Sequence, residues 1–143
     1  MSASKARIYH RLQLAAHRLH KRADRVVLEA AEITTAQAAV LAVVAAGGVV
    51  AQRSVADQLG LNESAVTAMV GRLLKLGLLD RAHDETDARA WRLRVSEAGR
   101  AALKKIEKPF RGINQSIEAV LDADEIARLA DYLERIGRAF GGG

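Results

Sequence analysis

RSVADQLGLNESAVTAMVGRLLKLGLLDRAHDETDARAWRLRVS, from Arg53 to Ser96, carries a run of local signals in unbroken order. Ser54 is placed to cap a short helix through Leu59, and Gly60 supplies the left-handed residue of a tight turn. Asn62 caps a second helix, Glu63 to Leu76, which Gly77 closes. Leu79 to Ala82 and Ala90 to Val95 then read as paired strands, because Trp91, Leu93 and Val95 alternate with Arg92 and Arg94. The intervening HDETDAR is polar enough for an exposed hairpin tip. Helix, turn, helix and charged hairpin in that order predict a winged helix-turn-helix.

Outward from this centre the chain reads as long helices. Residues 5–31 place Ile8, Leu12, Ala15, Leu19, Ala23 and Val26 at steps of three and four, one apolar face of a helix. Its other faces carry Arg7, Arg11, Arg18, Lys21, Arg22 and Arg25. Thr34 or Thr35 can cap a following helix with Ala36, Val40, Leu41 and Val44, ended by Gly47-Gly48. Ser96 opens a helix with Leu103, Ile106, Phe110, Ile113, Ile117 and Val120 along one seam, and Pro109 should kink it. Asp122 and Glu125 have capping-box spacing before a last helix bearing Ile126, Leu129, Leu133, Ile136 and Phe140.

The fold class expected is therefore mainly α with a small β-wing. A single domain over residues 1–143 is expected, with 34–96 as the winged helix-turn-helix lobe and 5–31 and 97–140 as N- and C-terminal dimerisation helices. The narrow seams need partner helices, and two interdigitated copies would bury them in a two-fold dimer.

Composition narrows the function classes. Lys+Arg 22 against Asp+Glu 17 gives a formal charge of +5, which suits a polyanionic partner. The absence of cysteine excludes disulfides, thiolate metal sites and cysteine redox sensing. Charges interrupt every apolar run before the ~18 residues a membrane span needs. MSASKARIYHRLQLAAHRLHKR lacks the apolar centre of a secretory signal, so a soluble cytoplasmic protein is expected. The tail Gly141 to Gly143 is given no function.

With Val66 as the inward reference of the second helix, Met69, Val70 and Leu73 share its side. Ser64, Thr67, Ala68, Gly71 and Lys75 lie opposite. That outer face is small and polar and ends in a base, as close approach to a major groove requires. On the hairpin, Arg89 at the tip and Arg81 and Arg92 on the strands are cations that a thin wing can carry into a minor groove. Asp84 or Asp87 is expected to pair with a nearby arginine and hold the tip in shape. The bland alternatives are an ordinary amphipathic helix and an ordinary solvated turn.

Segment by segment the chain resembles the MarR family of transcriptional regulators. The resemblance rests on Thr35-x-Gln37-x-x-Val40-Leu41, Val55-Ala56-x-x-Leu59-x-Leu61, Ser64-x-Val66-Thr67 and Arg72-Leu73-x-x-x-Gly77-Leu78. It continues through Arg81, Asp84-x-x-Asp87-x-Arg89, Leu93 to Val95 and Ser96-x-x-Gly99, and so covers nearly the whole chain. It implies a homodimer that binds double-stranded DNA at a pseudo-palindromic operator and acts in transcription regulation as a repressor or activator. Ser64, Thr67, Ala68 and Arg72 match the recognition positions, and Arg89 the wing-tip arginine. The expected DNA-binding set is then Arg53, Ser54, Ser64, Thr67, Ala68, Gly71, Arg72, Lys75, Arg89 and Arg92, with Asp84 and Asp87 orienting the wing. Ala68 departs from the family, where a longer and often basic residue is common; Leu74 stands where an acidic one is common.

The resemblance also implies a small-molecule effector of phenolic or aromatic-acid type, which would release a repressor from DNA. His10 and His17, on one face of the first helix, are the candidate ligand residues. No metal site and no cofactor are expected, since further ligands are lacking. Trp91 is expected to pack the wing against the core. An enzyme is not expected, because no nucleophile-base pair or phosphate-binding loop occurs. The alternative function is a non-sensory, architectural DNA-binding protein of the same fold.

Overall fold

The computed structural model describes residues 7–141. The order of elements is α1 (Ile8–Ala31), α2 (Thr35–Gly47), β1 (Val50–Ala51), α3 (Gln52–Leu59), α4 (Glu63–Lys75), β2 (Leu79–His83), β3 (Trp91–Val95), α5 (Glu97–Glu118) and α6 (Ala123–Phe140). The expected helical fold with a small β-wing is borne out. Two compact units divide at Pro109, Met1–Pro109 and Phe110–Gly143. Residues 5–6, expected as the start of α1, and Gly142 and Gly143 lie outside the described residues.

In the first unit the core is aliphatic. Val27, Val40, Leu41, Val44, Val55 and Leu73 are fully buried, and Val66, Val70 and Leu79 nearly so. The helix α2 packs against α1, α3, α4 and β3, so it is the hub on which the others rest. Its start is set by Thr34, whose hydroxyl accepts from Gln37 N while the Gln37 side chain accepts from Thr34 N. Between α1 and α2, Glu32 adopts the left-handed conformation at φ 58°, and the chain drops Ile33 into the core at 1% exposure. The Asp24 carboxylate accepts from Thr35 N at 2.8 Å and fastens the two helices together.

Several sequence expectations shift here. Val27 rather than Val26 is the fully buried residue of α1, because the face turned to the core is the one continued by Ala23. Ala36 is exposed and Ala38 takes its place in the core. The first helix of the central pair starts at Gln52, not after Ser54. Ala51 occupies its N-cap without a side-chain bond, and the Ser54 hydroxyl accepts from Gln58 Nε2 at 3.0 Å within the helix. The sheet has a third strand, β1, in the antiparallel order β1-β3-β2, with Val50 opposite Leu93 and Leu79 opposite Val95. Two residues are too few to show an alternating pattern, so β1 carries no period to read.

The Ser96-x-x-Gly99 motif joins α4, the wing and α5. Ser96 Oγ donates to Gly77 O at 2.6 Å and accepts from Gly99 N at 3.0 Å, capping α5 while holding the end of α4. A Cβ on Gly99 would collide with the Leu78 carbonyl and lie 2.6 Å from Val95 Cγ1. The close approach of α5 to this backbone therefore requires glycine.

In the second unit, α5 ends at Glu118 and Asp122 opens α6 through the expected capping box with Glu125. No residue of α6 is buried, and Leu133, Ile136 and Phe140 are 46%, 40% and 88% exposed. Gly99→Ala is expected to lower stability by about 1–3 kcal/mol through overpacking. Urea unfolding checks this; an unchanged midpoint would mean that α5 can back away from Leu78.

Candidate nucleic-acid interface

The helix α4 carries two faces set by its period. Val66, Val70 and Leu73 are buried, and Met69 is half-buried beside them. Ser64, Thr67, Ala68, Arg72 and Lys75 are exposed, and Gly71 has open space where a Cβ would project. Asn62 Oδ1 accepts from Ala65 N at 2.8 Å and fixes the first turn, and Gly60 at φ 64° makes the bend from α3. Arg72 and Lys75 lie in the last turn, where cations also complement the helix dipole.

From α3, Arg53 reaches across to α4, its Nε 3.2 Å from Glu63 Oε1, with both side chains largely exposed. An exposed pair of this kind contributes little stability, but it sets where the guanidinium stands. Ser54 is half-buried and bonded along its own helix. A cleft of about 370 Å³ between α4 and the wing is lined by Gln52, Arg53, Glu63, Thr67, Arg89 and Trp91, among others. It brings Arg53, Thr67 and Arg89 of the expected set together.

The wing tip is organised by Asp84. Its Oδ1 accepts from Thr86 N at 2.8 Å, Thr86 Oγ1 at 2.7 Å and Asp87 N at 3.3 Å. Its Oδ2 takes Arg92 Nε at 2.6 Å, and the Asp84 side chain is only 12% exposed. The Arg92 guanidinium, with the Thr86 hydroxyl and amide, holds the Asp84 carboxyl far below the usual carboxylate range. Asp87 supports the tip through Arg89 N, which donates to its Oδ1 at 3.0 Å, leaving the Arg89 side chain exposed. Arg92, one of the cations expected on DNA, is thus tied to Asp84.

Trp91 is half-buried, and wing residues hold its ring. His83 stacks on it with centroids 3.9 Å apart, and the Arg81 guanidinium lies 4.1 Å from the ring centroid. The strand register places His83 directly opposite Trp91, a pairing absent from the sequence expectation because strand β2 was read one residue short. Gln52 falls outside the helix expected after Ser54, and the role of Glu63 as partner of Arg53 is a contact between two helices that neither helical period shows. His10 and His17 are exposed on α1, and no group of residues able to hold a metal occurs among the described residues.

Because the folded carboxyl of Asp84 titrates below its unfolded value, its contribution is present above about pH 4 and is lost as pH falls below that. The tip is therefore expected to keep its order from pH 5 to 8. Asp84→Asn should speed amide exchange at Thr86, Asp87 and Ala90 several-fold with little change in melting temperature. Unaltered exchange would show that the loop backbone holds itself.

Residues 31–90 match the family model described as MarR family. None of the curated proteins matches the chain. Among solved structures, the PcaV transcriptional regulator from Streptomyces coelicolor, in complex with its natural ligand, is 32% identical with a TM-score of 0.80. That likeness covers 94% of this chain and 92% of PcaV. A mutant MarR from E. coli complexed with operator DNA is 23% identical at a TM-score of 0.77, over 91% of this chain and 96% of that one. BpsR of Bordetella bronchiseptica, whose DNA binding is regulated by 6-hydroxynicotinic acid, is 22% identical at 0.83, over 92% and 98%. The last two share the fold; the PcaV likeness, nearly end to end, carries the relationship. The chain belongs to the MarR family of winged helix-turn-helix, DNA-binding transcriptional regulators.

Proposed function

We propose that this protein is a dimeric, sequence-specific regulator that represses transcription and is released from its operator by a small aromatic acid or phenol. The observation that carries the DNA reading is the outer face of α4, where Ser64, Thr67, Ala68 and Gly71 leave the backbone free to approach base edges. Arg89 on a wing braced by Asp84 supplies a cation beside that face. Ser64, Thr67, Ala68, Gly71 and Arg72 read the major groove, and Arg53, Ser54, Lys75, Arg89 and Arg92 contact backbone or minor groove.

Dimerisation is supported by apolar side chains left in water by a single chain. On α1, Ile8 and Leu19 share a face and are about half exposed, and α6 carries its own uncovered stripe of Leu129, Leu133, Ile136 and Phe140. Surfaces of this kind mark association sites. Paired α4 helices would then meet two half-sites about 34 Å apart, one turn of DNA. An effector is supported by PcaV, solved with its natural ligand, and its class by the 6-hydroxynicotinic acid that regulates DNA binding of BpsR. His10 and His17 remain the candidate residues for it, both exposed on α1.

Light scattering at micromolar concentration is expected to give twice the chain mass; a stable monomer would remove the paired recognition helices. On an operator recovered by selection, Arg89→Ala should weaken binding and lower the salt slope by roughly one per half-site. Equal affinity and slope would contradict the role of the wing. A panel of hydroxylated benzoic and nicotinic acids should release the operator. If none does, the non-sensory reading replaces the effector one.

A further inference from the structure

The hydroxyl of Thr67 has one proton and two lone pairs to distribute. Its Oγ1 lies 2.8 Å from Glu63 O, one turn back. A carbonyl oxygen brings no proton, so the Thr67 proton occupies that bond. Gln52 Nε2 lies 3.2 Å from the same Oγ1 and donates to it. The opposite amide orientation would set Gln52 Oε1 against an oxygen whose proton is already committed, so this chemistry selects the nitrogen. One lone pair is left, on an exposed side chain of the outer face of α4.

Gln52 is well placed to enforce this state. It is the first residue of α3 and follows Ala51, which pairs with Arg92 in the sheet, so its backbone is fixed on both sides. It is half-buried, and its Oε1 is buried with no donor among the described residues. Its side-chain amide therefore serves Thr67. The rotamer and the hydrogen-bond polarity of the recognition residue are set before any partner arrives.

We propose that Thr67 reads its base only as a hydrogen-bond acceptor, with Gln52 as the positioning residue, so that the base opposite it carries an exocyclic amine in the major groove. That selects adenine, through its N6 amine, or cytosine, through its N4 amine. Guanine offers O6 and N7 there and thymine O4, all acceptors, which would meet the lone pair of Thr67 acceptor to acceptor. A phosphate is disfavoured for the same reason. The inference rests on the DNA reading above and adds to it the polarity of one contact.

The test is selection of bound DNA from a random pool by the full-length protein, followed by binding to operators lacking single amines. Purine replaces adenine, and 2-pyrimidinone replaces cytosine, one position at a time. The expected result is one position per half-site where removing the amine weakens the wild type about fivefold, the value of one hydrogen bond. Thr67→Val should bind both operators alike, and Thr67→Ser should restore the discrimination. Gln52→Leu should keep its helix content and flatten the preference at that position alone, as a general loss of stability would not.

Three results would overturn the proposal. They are indifference to every amine, a loss on removal of N7 by 7-deazapurines that Thr67→Val abolishes, and a dependence on the thymine methyl at that position. If an operator is recovered and the amines are silent, the polarity of Thr67 fails and DNA recognition stands. If no sequence is recovered, both fall together.

Discussion

The burial of Val66, Val70 and Leu73 against α2 and α3 is the constraint on which the rest of the structure depends. Each such side chain contributes roughly 1.5–3 kcal/mol when taken from water. Because the inner face of α4 carries this load, its outer face is free of it, and small residues there forfeit no burial, with Gly71 costing about 1 kcal/mol in helix propensity. Ser64, Ala68 and Gly71 would be poor choices on a helix that had to be held from outside. The same burial fixes the rotation of the helix, so that Thr67 and Arg72 point away from the core.

The wing is held by a different kind of force. It buries only Leu79, Leu93 and Val95 near its base, and beyond them its order is polar. Asp84 gathers two amides, a hydroxyl and a guanidinium, and neither the Arg92 nor the Thr86 contact would survive loss of that carboxylate. The acidic residues of the tip look misplaced beside a polyanion, yet they let the Arg89 side chain project from a defined backbone. The half-buried Trp91 has its ring gripped by His83 and Arg81 of the neighbouring strand and lines the cleft that the wing shares with Gln52 and Val66. Cross-strand register decides that pairing, and the alternation within either strand does not carry it.

Most of the architecture was legible because it is written in short-range signals. Gly60, Asn62, Gly77 and Ser96 act within a few residues of where they stand, and the helical periods need only one chain segment to appear. The errors share a cause. Ser54 has the chemistry of a cap, but the cap position is Ala51, three residues earlier, and the chain enters α3 directly from β1. That strand exists only because β3, far along the chain, lies beside it. Local propensity gives way to tertiary contact there, and Gln52 was overlooked with it.

Within the sequence alone lay the kind of fold, the helix whose outer face could meet DNA, the arginine at the wing tip and the carboxylates beside it. Each of these follows from periodicity, capping chemistry or charge pattern, which are properties of neighbours in the chain. Which side chains hold those groups was decided by the tertiary structure: Gln52 on Thr67, Arg53 on Glu63, Arg92 on Asp84. Those partners lie 8 to 15 residues apart. A hydrogen bond depends on distance and angle to within a few tenths of an ångström, and no sequence period carries that information.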